Sequence, residues 1–188
     1  MANILAIAGS PSHPSRTYGI VEYATTLLQQ EGFHTDIISA RDFPAEDLVF
    51  GRYDSPNLEQ PKALLEKADG VIIATPIYKA AYTGVLKAFL DLLPQKAFLG
   101  KVILPIATGG TLAHLLAIDY ALKPVLSELG ARHLLGGVYA VDKQIQWLSD
   151  GKVQLDEEID QRLKHSLHDL VEAVKQAQSG AKELARAS

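Results

Sequence analysis

Three stretches of this sequence carry residues suited to binding chemistry. The first is Gly9-Ser10-Pro11-Ser12-His13-Pro14-Ser15-Arg16-Thr17. Ser10, Ser15 and Thr17 offer hydroxyls, and Arg16 offers a planar cationic fork. A helix predicted to start here adds free N–H groups and a positive dipole end. Together these suit a phosphate. The plainer alternative is a capping loop, in which Ser15 or Thr17 only closes the helix.

The second stretch, Thr75 to Gly84, contains Tyr78 and Tyr82, two of the chain's seven tyrosines. Pro76, Ile77 and Tyr78 would wall a flat aromatic ligand, with backbone N–H groups at its edge. The alternative is a turn with packed tyrosines, and Lys79 either meets an anion or is solvated. The third stretch is Thr108-Gly109-Gly110-Thr111. Paired glycines let the backbone approach a ligand closely, although a plain helix-entry turn reads the same. A phosphate loop, an aromatic wall and bare backbone together point to a phosphorylated flat ring system, and FMN is the candidate.

The elements that must position these loops follow from hydrophobic spacing. Short apolar runs at Ile4–Ala8, Thr35–Ile38, Val71–Thr75, Val102–Ala107 and Leu134–Val141 predict strands, the last weakened by Gly136-Gly137. Helices are expected over Thr17–Glu31, Leu58–Ala68, Val85–Leu93 and Leu112–Leu129. A C-terminal helix follows from the spacing of Ile159, Leu163, Leu167, Leu170 and Val174, with fraying from about Ser179. Alternating strands and helices imply an α/β, flavodoxin-like fold, with a five-stranded parallel sheet of order 2-1-3-4-5 and helices on both faces. Ligands bind such sheets beyond the strands' carboxyl ends, where all three stretches fall. Residues 1–178 are read as one domain and 179–188 as its tail.

Composition narrows the chemistry. The 188 residues include no cysteine and carry a formal charge of −4. That excludes disulfide scaffolds, thiolate metal sites and a cysteine nucleophile. The mildly acidic balance gives no support for nucleic-acid binding. No apolar run is long enough for a membrane span, and Met1-Ala2-Asn3 lacks a basic leader, so a cytoplasmic protein is expected. Neither G-x-G-x-x-G nor G-x-x-x-x-G-K-[ST] is present, which argues against a standard dinucleotide crevice and against a nucleotide triphosphatase. The strand ends lack the acidic residues of a response regulator, and no G-x-S-x-G elbow occurs. His165 and His168 sit one helical turn apart and read as solvated.

Ala8–Pro11 with Pro14–Arg16, Ala74–Tyr82 and Leu104–Thr111 resemble the NADPH-dependent FMN reductase family. The stretch from Ala113 to Leu126 is similar to the flavin reductases of two-component alkanesulfonate monooxygenase systems. The resemblance spans about residues 3–140. It implies that NADPH reduces FMN and that FMNH2 passes to a separate alkanesulfonate monooxygenase. It also implies a homotetramer or dimer. Ser10, Ser15, Arg16 and Thr17 would hold the phosphate, and Pro76, Ile77, Tyr78 and Lys79 would line the ring. Thr108, Gly109 and Gly110 would lie opposite. Tyr18-Gly19 departs from the small hydroxyl residues of similar sequences.

The resemblance further implies a π-bulge at Tyr120, gating or stacking near the flavin at a subunit interface. The residues supply a reason for strain there. Pro124 cannot donate to the carbonyl of Tyr120, four residues back. The alternative is a proline-kinked helix with Tyr120 in the core. Hydride transfer between two cofactors requires no catalytic side chain. Rival readings are an FMN-containing quinone or azo reductase, a flavodoxin-like electron carrier and a flavin-binding sensor.

Overall fold

Alternation within the strands decides which face of the sheet each residue covers. In the computed structural model, which describes residues 2–187 and side chains through Gly180, β1 spans Asn3–Ala8. Its Ile4, Ala6 and Ala8 join one buried cluster, and Leu5 and Ile7 join another on the opposite face. β2 (His34–Ser39) and β3 (Gly70–Tyr78) flank β1 in parallel. β4 (Ala81–Tyr82) turns back antiparallel on β3, and β5 (Val102–Gly109) pairs with β3 in parallel. β6 (His133–Leu134) and β7 (Val138–Val141) both pair with β5 in parallel.

Taken as one interrupted strand, β6 and β7 complete the order 2-1-3-4-5 of a flavodoxin-like sheet. The interruption falls at Gly136-Gly137. A Cβ on Gly137 would lie 2.7 Å from the Ile118 side chain, so close packing breaks the strand where the sequence ran it through. The short β4 and a separate hairpin, β8 (Ile145–Trp147) with β9 (Val153–Leu155), add antiparallel pairs to the expected parallel sheet.

Helices cover both faces. α1 (Arg16–Gln30) and the C-terminal α6 (Glu157–Ala187) pack on one side. α3 (Glu59–Lys67), α4 (Gly84–Asp91) and α5 (Lys123–Glu128) pack on the other, with the short α2 (Ala45–Val49) beside α4. All five spaced residues from Ile159 to Val174 are buried. α6 continues to Ala187, past the fraying expected from Ser179, because the last stretch is rich in Ala, Lys, Glu, Leu and Arg.

The helix expected over Leu112–Leu129 is divided instead. A 3-10 turn covers Leu112–His114, a π-helical turn covers Ile118–Leu122, and only then does α5 begin, with Pro124 in its first turn. The Lys123 N–H reaches back five residues to the Ile118 carbonyl. Pro124, in the first turn of α5, has no N–H to carry the α-helical pattern back to the Tyr120 carbonyl, and the turn before it is the widened one. Among the described residues no helix is long and apolar enough to cross a membrane.

Candidate functional site

The loops after β1, β3 and β5 meet at the sheet's carboxyl edge and are fastened together. The Gly9 N–H donates to the Ala74 carbonyl at 2.7 Å, and the Thr83 hydroxyl donates to the Gly9 carbonyl. The Thr83 N–H donates to Thr75 Oγ1 at 3.2 Å, while Thr83 Oγ1 caps α4 by accepting from the Leu86 N–H. A Cβ on Gly9 would lie 2.7 Å from Leu86, so only glycine lets the two loops close up. Thr17 Oγ1 and Thr108 Oγ1 are 2.6 Å apart, both buried, and this pair joins the first loop to β5.

These loops surround a cleft of about 240 Å³. Ten of the predicted residues line it: Ser10, Ser15, Arg16 and Thr17 from the first loop, Pro76, Ile77 and Tyr78 from the second, and Thr108, Gly109 and Gly110 from the third. Lys79 does not. It forms, with Ala80, the two-residue turn between β3 and β4, and both residues have positive φ, at 51° and 68°. That is the geometry of a tight primed turn, held here by two residues with a Cβ. The turn carries the Lys79 side chain outward, to an exposed position.

On the first loop, the capping reading is realised in a way that leaves groups free to meet an anion. Ser15 is the N-cap of α1, its Oγ accepting from the Tyr18 N–H at 3.2 Å. Its hydroxyl hydrogen is left to donate elsewhere. Arg16 is the first residue of α1, and no acidic residue occupies that turn. A cation at the positive end of a helix is unfavourable unless an anion sits between them. Arg16 Nε donates to the Ile145 carbonyl at 3.3 Å, leaving its terminal nitrogens without partners among the described residues. Ser10 is only 3% exposed and lies 3.1 Å from Ser12 Oγ.

Arg41, on the segment after β2, braces the loop from outside. It donates to the Ser12 carbonyl at 2.6 Å, lies 3.1 Å from His13 Nδ1, and places its guanidinium 5.9 Å from the Tyr18 ring centre. Burial pushes the Tyr18 phenol pKa up, with Glu22 and Asp42 adding to the rise against Arg41. Tyr18 is therefore neutral and packed, with no part in the cleft lining. Gly19 makes room for the β8–β9 hairpin: a Cβ there would lie 2.4 Å from Val153.

On the ring side, Tyr139 supports the third loop from below. Its hydroxyl donates to the Thr111 carbonyl at 2.8 Å, and burial followed by Asp142 raises its pKa. Ile118 of the π-helical turn packs in the same small cluster. Tyr120 is 79% exposed, which rules out a core position.

Ser12 and Pro14, within the first stretch but given no contact of their own, also line the cleft, as do Asp142 and Trp147, which the sequence reading missed. Asp142 follows β7, so its place at a strand's carboxyl end was the available signal. Trp147 sits on the hairpin, whose trace in the sequence is Asp150-Gly151 between two short alternating runs.

The bare backbone, the helix N-terminus, the Arg16 terminal nitrogens without partners among the described residues and the apolar wall fit a flavin mononucleotide. Comparison with known proteins agrees. The family model for NADPH-dependent FMN reductases matches residues 2–146. The chain is 47% identical over 165 residues to an FMN reductase (NADPH) of Pseudomonas putida, covering 87% of this chain and 84% of that one. It is 52% identical over 145 residues to an FMN reductase (NADPH) of Escherichia coli strain K12, covering 76% and 74%. Among solved structures, an apo NADH:FMN oxidoreductase superposes with a TM-score of 0.80 at 38% identity, covering 90% of this chain and 88% of that one.

Proposed function

We propose that this chain, which belongs to the NADPH-dependent FMN reductase family, holds the FMN phosphate on its first loop and gives up the flavin once it is reduced. Its activity is that of an oxidoreductase that reduces FMN with NADPH. When bound, the two cofactors supply the chemistry, a hydride passing from nicotinamide C4 to flavin N5. The protein's share is binding, orientation and electrostatics.

Arg16 supplies charge at the phosphate, and Ser10, Ser15 and Thr17 supply hydroxyls. The N-terminal N–H groups of α1 add to both. Pro76, Ile77 and Tyr78 flank the ring on one side, and Thr108, Gly109 and Gly110 offer backbone on the other. The observation that carries this reading is Arg16 at the first position of α1, without a compensating acid and with its terminal nitrogens free of partners among the described residues.

Release is supported by the openness of the ring side. Tyr78, on the ring wall, is half exposed. A flavin held chiefly by its phosphate exchanges readily, as a substrate must. We extend the reading to a cytoplasmic two-component system in which a separate alkanesulfonate-type monooxygenase takes up FMNH2. In it, Leu112, Leu116 and Tyr120, all exposed beside the ring side, pack against a second copy in a homotetramer or dimer.

The test is aerobic NADPH oxidation by purified protein as FMN is varied. The expected rate is near zero without FMN and saturates with it. Protein that retains flavin through purification and oxidises NADPH only with a quinone or azo dye would contradict release.

A further inference from the structure

We propose that Trp147 sets the flavin specificity of this cleft, closing its phosphate end so that a flavin monophosphate fits and a flavin adenine dinucleotide does not. The proposal rests on the phosphate assignment of the first loop.

Three observations place the indole at that end. The Ile145 carbonyl accepts from Arg16 Nε at 3.3 Å, and Trp147 lies two residues further along the same strand. Trp147 pairs across the hairpin with Val153, the residue that touches Gly19 in the first turns of α1. Trp147 also lines the cleft together with Ser15 and Arg16. It is 38% exposed, so it stands between the cavity and solvent as a wall.

A monophosphate ends at the loop. A dinucleotide continues through a second phosphoryl group, a ribose and an adenine, which must pass the indole or lift the hairpin. Lifting it breaks the bond to Arg16 and exposes Ile145, Val153 and Leu155, all buried in the main core. Charge points the same way. Arg41, the second guanidinium near the loop, is committed to Ser12 and His13. Asp142 adds a carboxylate to the cleft lining. Of the two guanidiniums, only Arg16 keeps its terminal nitrogens without partners among the described residues, which matches one phosphate.

The experiment compares FMN and FAD as acceptors in NADPH oxidation, and FMN, FAD and riboflavin in binding by quenching of flavin fluorescence, in the wild type, Trp147→Ala and Trp147→Phe. The wild type is expected to favour FMN. Trp147→Ala should weaken FMN somewhat and shift the FMN-to-FAD preference toward FAD by about tenfold or more, the scale set by removing a steric wall. Trp147→Phe should restore most of the preference. If Trp147→Ala fails to fold, judged by circular dichroism, Trp147→Leu is read in its place. An unchanged preference in a folded variant overturns the proposal, as does a wild type that takes both flavins equally. A wild type that binds FMN no better than riboflavin strikes the phosphate assignment instead.

Discussion

The two halves of the cleft are built on opposite principles. The phosphate side is polar and braced, with Ser10, Ser15 and Thr17 buried. Thr17 pairs with Thr108, Ser15 caps α1, and Arg41 holds the Ser12 carbonyl. The ring side is apolar and open. Tyr78, Leu112, Leu116 and Tyr120 are exposed, the β3–β4 turn holds two non-glycine residues at positive φ, and the neighbouring helix is opened into a π-helical turn. A preorganised polar pocket loses little entropy when its ligand arrives, so the proposed phosphate assignment concentrates affinity there. An open apolar wall leaves the reacting ring reachable by a second cofactor. The division suits an enzyme that grips one end of its substrate and must let the other be approached.

The largest expected effect breaks the phosphate side. Arg16→Ala should weaken FMN binding by about ten- to a hundredfold, the loss of roughly 1.5–3 kcal/mol for hydrogen bonds to a charged group. Circular dichroism should show the fold intact. Gly109→Ala tests the ring side's support. Its new Cβ would lie 2.3 Å from the Tyr139 hydroxyl and displace the bond to Thr111, costing about 1–3 kcal/mol of stability in urea unfolding.

Next comes the bridge between the halves. Thr108→Val strands the buried Thr17 hydroxyl at a cost of about 1–3 kcal/mol, and the double variant with Thr17→Val should recover part of it. A strictly additive pair in that double-mutant cycle would show that the bridge carries no coupling.

A pH effect comes from a polar cluster away from the cleft. Asp47, on α2 beyond Arg41, accepts from Ser55 and Asn57, and these bonds hold its carboxyl pKa below the usual value of 3.8. A lowered folded pKa stabilises the protein above the unfolded value, and that contribution is lost as pH falls through the folded pKa. Asp47→Asn should therefore cost stability at neutral pH, with the difference from wild type shrinking below about pH 4. The smallest effect belongs to the open side. Tyr120→Ala should change stability by less than about 0.5 kcal/mol, because the ring is exposed, while disturbing assembly or flavin turnover. A variant unchanged in all three would remove Tyr120 from the account.

Much of this contrast was legible in the sequence. Strand order, the three loops and the buried face of α6 followed from apolar spacing and from glycine and proline placement. Pro124 marked the strained turn near Tyr120. What escaped was long-range or short in extent. Arg41 braces a loop 29 residues away, and Arg16 reaches Ile145 across 129 residues, distances over which local pattern says nothing. β8 and β9 are three residues each, too short for alternation to stand out. The break in the last strand meets the π-helical turn, which the family resemblance implied at Tyr120, at the Gly137–Ile118 contact, a packing that spacing alone does not show. Lys79 failed as a cleft residue because its backbone conformation, invisible in its type, turns it outward.

The most direct test of the central claim is a calorimetric comparison of FMN and riboflavin binding to wild type and Arg16→Ala. Riboflavin shares the ring and lacks the phosphate. The account predicts that FMN binds the wild type more tightly than riboflavin, and that Arg16→Ala removes most of that advantage without changing riboflavin binding. Equal losses for both ligands, or an FMN advantage that survives the substitution, would contradict it.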